Sequence, residues 1–277
     1  MWGSSEAEVG VNGRLYWMLA LSTGLAIGCG PGDKVPSGTD TDAASTDVAT
    51  DTGAAGGSAI TGRIVDPDGA PVSDVALKYC RGLACATTRT DAAGDYAFTG
   101  MAGGPGSFAA VPPEGRPWVH AFAPFDVPED ESSAINVTFV ERGAGAVLGD
   151  AAAPLTVGAL EITVSKSEIE TPVLLEDATH LYAPEVWGTP GAVPVQLEGA
   201  VLAQWLLEPH DYPIPAGAPI RVANSFGLAA GSAVTLYVGR YSESDWVPVG
   251  NATVAKDWIT FDAELELVST LVLVQAR

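Results

Sequence analysis

Positive charge is scarce in this chain of 277 residues: 13 lysines and arginines stand against 34 aspartates and glutamates, a formal net charge of −21. Binding a nucleic-acid backbone needs clustered Lys and Arg, so this balance excludes a nucleic-acid partner. It equally excludes electrostatic adhesion to anionic lipid headgroups. What an acidic surface does provide is solubility. Histidine and cysteine are also rare, with three of each. His120, His180 and His210 are scattered, and no G-x-S-x-G, H-E-x-x-H or phosphate-cradling glycine loop accompanies them. No residue is therefore assigned a catalytic, cofactor or metal role, and the expectation is that the protein is not an enzyme. No apolar run reaches the roughly 20 residues that crossing a bilayer takes. Helical periodicity is missing from the folded region as well, although an apolar fraction of 47% is ample for a core.

The longest apolar stretch, Leu15 to Gly28, follows Arg14 and leads through LALSTGLAIGCG to Cys29 and Gly30. A short apolar segment closed by a small residue and then cysteine resembles the signal and lipobox of bacterial lipoproteins. Residues 1–28 are then the signal peptide and Cys29 is the residue that carries lipid, with Gly28 small enough for the peptidase and Ala26 where the family most often has Leu. The likeness implies a lipid-anchored protein of the bacterial cell envelope, attached to the membrane through Cys29. Gly30 in place of Asp favours the outer membrane by the enterobacterial sorting pattern. The first ten residues carry Glu6 and Glu8 where a positive segment is expected, so a start at Val11 is one hypothesis, with Met1 left open as the alternative. Residues 29–58 are built mainly of Gly, Ala, Ser, Thr and Asp with no aromatic residue, and are read as a disordered acidic linker. Asp51-Thr52-Gly53 within it spells an aspartic-protease triplet, but no hydrophobic strand precedes it.

At Ala59 the pattern changes to strict alternation. Ile60, Gly62 and Ile64 share one face; Val75, Leu77 and Tyr79 follow in phase, then Tyr96 with Phe98, and Ile135, Val137 and Phe139. Pro67-Asp68-Gly69-Ala70-Pro71 and Ala92-Ala93-Gly94 are turn chemistry. Gly62, Asp66, Gly69, Pro71, Val72, Thr90, Asp91, Gly94 and Tyr96, with Phe108 after Gly106 and Ser107, occupy the positions of a known pattern. Residues 59–142 thereby resemble the carboxypeptidase regulatory-like domain, a prealbumin-like β-sandwich. The resemblance implies an accessory or binding module without catalysis. Cys80 and Cys85 flank a hairpin loop at a distance a disulfide can close, with two reduced thiols as the alternative. Once Cys29 is lipidated they form an even pair in an oxidising compartment. Asp66 with Asp68, and Asp91 with Asp95, sit on turns where Asp is favoured for backbone bonding, which is preferred over calcium ligation.

Residues 143–277 read as a second β-sandwich. Leu160, Ile162 and Val164 alternate, as do Ala203, Trp205 and Leu207 against Gln204 and Glu208, and Val234, Leu236 and Val238 against Thr235 and Tyr237. In the segment RPWVHAFAPFDV ahead of it, Trp118, His120 and Phe122 share a face, which makes His120 a packed strand residue. The stretch WLLEPHDYPIPAGAPIRV, with GLAAGSAVTLYV, SDWVPVG and the closing TLVLV, is similar to C-terminal domains of uncharacterised myxobacterial-type lipoproteins. It is similar, more loosely, to the β-rich supramodule domain of ankyrins and netrin receptors, through Pro209, His210, Pro219 and Ile220. Both imply a scaffold or interaction domain.

The expectation is thus an all-β chain: two β-sandwich modules in tandem after a lipoprotein signal peptide and a linker, acting by binding or as scaffold on an envelope protein or polysaccharide. Two alternatives stay open. One is a carbohydrate-binding surface lipoprotein, with Tyr237, Tyr241 and Trp246 as an exposed stacking platform. The other is an unrecognised hydrolase assembled from distant residues.

Overall fold

The computed structural model describes residues 57–173, 175–187 and 192–276. The signal segment, Cys29, the Asp51-Thr52-Gly53 triplet and nearly all of the 29–58 segment lie outside the described residues. Those described are all-β, with 22 strands, one 3-10 turn at Lys166–Glu168 and no α-helix among them. They belong to one compact unit, Ala55–Arg277.

The first half contains β1 (Ser58–Val65), β2 (Ala76–Arg81), β3 (Ala84–Arg89), β4 (Asp95–Met101), β5 (Gly104–Val111), β6 (Ala121–Val127), β7 (Ser132–Ala134) and β8 (Val137–Thr138). One sheet runs β3-β2-β5-β6; in the other β1 pairs with β4 on one side and with β7 and β8 on the other. The β7 and β8 pairings are parallel, so the chain crosses over to return beside β1. Ile60, Ile64, Leu77, Tyr79, Tyr96, Phe98, Phe108 and Phe139 fill the core between the sheets. Gly62 is a steric necessity here. A Cβ at that position would fall 1.8 Å from the Ile135 carbonyl oxygen, which also accepts a 2.7 Å hydrogen bond from the Tyr96 hydroxyl. The turns are closed by single carboxylates: Asp66 Oδ1 accepts from the amides of Asp68 and Ala70, and Asp91 Oδ1 from those of Ala93 and Asp95. Cys80 and Cys85 are directly opposite in the β2–β3 ladder and are bonded, S–S 2.07 Å. The turn between the strands is only Gly82-Leu83, because pairing continues through Arg81 and Ala84.

The second half contains β9 (Ala146–Val147), β10 (Ala153–Val157), β11 (Leu160–Val164), β12 (His180–Leu181), β13 (Glu185–Trp187), β14 (Ala200–Leu206), β15 (Tyr212–Ala218), β16 (Ile220–Ala223), β17 (Val234–Arg240), β18 (Asp245–Pro248), β19 (Ala252–Val254), β20 (Trp258–Phe261), β21 (Leu265–Val268) and β22 (Thr270–Gln275). Two five-stranded sheets, β10-β11-β16-β20-β19 and β13-β14-β22-β17-β18, are joined by the small pairs β15-β21 and β9-β12. Leu160, Ile162, Val164, Trp205, Leu236, Ile259, Leu271 and Leu273 lie in their common core.

The two halves share an interior. Alternation breaks down in β6 and β14 because both faces of these strands are covered. In β6, Ala121, Ala123 and Phe125 enter the first core, while Phe122 and Pro124 meet Gly239 of β17. In β14, Ala203 and Trp205 enter the second core, whereas Leu206 belongs to the first together with Ala192 and Val193. Two glutamines stitch this segment in place. Gln204 bonds both the amide and the carbonyl of Val193, and Gln196 does the same for Asp126. The Thr270 hydroxyl donates to the Phe122 carbonyl at 2.8 Å, and the fully buried Ser107 hydroxyl donates to the Tyr241 carbonyl at 2.7 Å.

Gly239 is the closest point of this contact: a Cβ there would lie 2.9 Å from Pro124 Cδ and 3.2 Å from both Phe122 and Trp246. Gly239→Val should therefore lower the urea-unfolding free energy by about 1–3 kcal/mol, the usual effect of forcing extra volume into a packed interior. Gly149→Ala, which meets nothing closer than 3.7 Å, should stay near wild type. Equal stability of the two variants would mean that the halves do not pack through Gly239.

Candidate functional site

Folding brings together residues far apart in sequence at one point, around Glu208. This residue follows β14, is 6% exposed, and is held by a reciprocal pair of backbone hydrogen bonds to Tyr182. Its Oε1 accepts from the His120 amide at 2.8 Å and lies 2.7 Å from His120 Nδ1; its Oε2 is 2.8 Å from Arg142 Nε. Burial pushes the Glu208 carboxyl up, but the two bonds from His120 and the charges of His120 and Arg142 outweigh it and hold the group below the usual carboxylate range. The Arg142 guanidinium also lies over the Tyr182 ring at 5.3 Å. Next to this cluster, His210 packs edge-on against Phe122, ring centroids 4.6 Å apart. Through Phe122, two residues on from His120, this brings His210 near enough for the charge of His120 to act on it. His120 is not the packed strand residue expected: it precedes β6, and its side chain keeps 45% of its surface. His180 stacks on Tyr182 at 5.9 Å and contacts Thr179.

An acid–base site needs a carboxylate or imidazole free to receive a proton from a substrate. Here both Glu208 oxygens are already engaged. Ser269 approaches His210 Nε2 at 3.5 Å, but its hydroxyl is fully buried and donates to the Gly239 carbonyl at 2.7 Å. The cluster acts as a clasp between the halves.

The aromatic trio Tyr237, Tyr241 and Trp246 is not an exposed platform. Tyr241 tilts against Phe122 at 5.2 Å, and its hydroxyl donates to Cys80 Sγ. Trp246 packs against the first core with its Nε1 enclosed. Both cover the contact between the halves, which is why aromatic residues occur there.

An open groove of about 360 Å³ lies instead on the second half, lined by Glu161, Thr163, Arg221, Thr260, Asp262 and Glu264 among others. Strand register builds it. Glu161 of β11 pairs with Arg221 of β16, and Arg221 pairs with Thr260 of β20, so the polar phases of three strands form one row. Arg221 is held in a bidentate pair by Glu161, 2.7 and 2.8 Å, and lies over Trp258, 3.9 Å from the ring centroid. Asp262 accepts from the amide and side chain of Asn251, which keeps its carboxyl below the usual range. Sequence reasoning missed this row because its members are 60 and 39 residues apart; each strand's polar phase was visible, but not their pairing. Among the described residues no group of three or more His, Cys, Asp or Glu is placed to hold a metal ion.

No family model matches the chain, and no curated protein matches it. Among solved structures it is similar to the Bacillus anthracis TIE protein, with a TM-score of 0.28 and 9% identity over 79% of this chain. The chain spans 44% of that protein's length. A candidate carbohydrate binding protein from Bacteroides uniformis gives a TM-score of 0.26 and 10% identity, with 79% of each chain covered.

The clasp has a consequence for acid stability. Desolvation, with the charge of His120 adding to it, drives the His210 imidazole from 6.5 down to about 3. The neutral ring therefore contributes its full stability above about pH 6.5. As the pH falls below that, the unfolded chain takes up the proton first, and stability drops by up to about 1.4 kcal/mol per pH unit until the folded value is reached. Urea unfolding at pH 7 and pH 5 should show about 2 kcal/mol of this loss in the wild type, and His210→Gln should remove it. An unchanged difference in the variant would mean that His210 is not enclosed.

Proposed function

We propose that the protein is a lipid-anchored lipoprotein of the bacterial envelope that works by binding, without turnover. On this reading residues 1–28 are removed, Cys29 is acylated at the outer membrane, and residues 29–58 tether the β-body. The first half serves as a carboxypeptidase regulatory-like module. One observation supports binding over catalysis: the converging titratable groups Glu208, His120 and Arg142 are engaged with one another in joining the halves, and His210 beside them packs on Phe122. The groove around Arg221 lies open on a different sheet. A carbohydrate ligand is the reading that groove favours, ahead of an envelope protein.

Several acyl chains on one cysteine hold firmly, since each buried methylene contributes about 0.8 kcal/mol of membrane affinity. Cys29→Ser should therefore move the protein from the membrane fraction to the soluble one. Full membrane retention of the variant would place the anchor elsewhere. The released chain should hydrolyse no peptide, ester or glycoside substrate, yet retain a partner from envelope extract. Turnover that disappears on replacing His120 or His210, with the fold intact, would make the protein an enzyme.

A further inference from the structure

The groove on the β10-β11-β16-β20-β19 sheet has a composition that selects its ligand. Its charged members are three carboxylates, Glu161, Asp262 and Glu264, and one guanidinium, Arg221. Glu161 neutralises Arg221, so the charge left over is that of Asp262 and Glu264, which repels an anion. A neutral molecule meets no such repulsion. Arg221 is also prepared for a fixed acceptor. A guanidinium carries five N–H donors in a rigid fork. Glu161 takes Nε and Nη2, and the ring of Trp258 covers one face, so the plane of the fork is set before any ligand arrives. Its Nη1 makes no hydrogen bond to any described residue, and the side chain keeps 41% of its surface. Around it stand the exposed Thr260 hydroxyl and the exposed carboxylate of Glu264, with the exposed Pro219 and the partly buried Phe261 among the apolar residues of the lining.

A hydroxyl both donates and accepts, so a polyhydroxylated ring can accept from Arg221 Nη1 and Thr260 while donating to Glu264 and Asp262. Its C–H faces then rest on Pro219 and Phe261. A cleft of about 360 Å³ falls at the small end of ligand sites. We infer that this groove is a saccharide-binding site for neutral sugars, with Arg221, held by Glu161 and Trp258, as the residue that orients them. The inference rests on the binding reading above and names the ligand class and the place where it is held.

The test is native affinity electrophoresis of the full chain in mild detergent, through gels containing barley β-glucan, xylan, galactomannan or, as the anionic comparison, polygalacturonate. The wild type should be retarded in at least one neutral gel. Arg221→Ala should weaken that retardation at least tenfold. Thr260→Lys, at an exposed position that leaves the Arg221–Glu161 pair in place, should do the same while melting at the wild-type temperature. No retardation in any neutral gel would overturn the inference, as would retardation unchanged in both variants or confined to polygalacturonate. A wild type that ignores every gel but still retains an envelope partner would remove the saccharide site and leave the binding reading intact; one that does neither would remove both.

Discussion

A carboxylate taken out of water loses several kcal/mol of hydration unless charges and donors close around it. Glu208 is in that position at the end of β14, and everything that compensates it comes from the other half of the chain: the amide and ring of His120 and the guanidinium of Arg142. Neither half is complete without the other. The second would lose the donors that close around Glu208, and the first would lose Leu206, Ala192 and Val193 from its core. Two sandwiches that the sequence sets in tandem are therefore joined through a shared interior.

That joint decides which surfaces are left for a partner. The faces of β6 and β14 that a free-standing sandwich would expose are covered, and Tyr241 and Trp246 are used in covering them. The β10-β11-β16-β20-β19 sheet takes no part in the clasp, and its outer row of Glu161, Arg221 and Thr260 keeps its side chains at the surface. The chemistry available to a ligand is accordingly that of an open polar groove on this sheet with a fixed guanidinium.

Much of the fold is legible in the alternation of single strands. Ile60 with Ile64, Leu77 with Tyr79, Leu160 with Ile162, and Leu236 with Val238 all face a core as the two-residue period implies. The period is blind to a strand buried on both sides. Gln204 and Glu208 look like the solvent phase of β14 and its continuation, yet they are 2% and 6% exposed, because Gln204 bonds the backbone of Val193 and Glu208 finds His120 and Arg142 across the joint. His120 is misread for a related reason: its partner is a carboxylate 88 residues away that no local pattern announces. The groove fails to show for want of register, since the pairing of Glu161 with Arg221 and of Arg221 with Thr260 is a property of the sheet and not of any one segment.

If the clasp at Glu208 unites the halves, they must unfold together. Differential scanning calorimetry at pH 7 tests this directly, through the ratio of calorimetric to van't Hoff enthalpy, which equals one for a single cooperative transition. The account predicts one endotherm with a ratio near one for the wild type. It also predicts that Glu208→Ala, which leaves His120 and Arg142 without their partner, broadens or splits it. Two resolved transitions in the wild type, unaffected by that substitution, would contradict the account and return the protein to independent modules on a string.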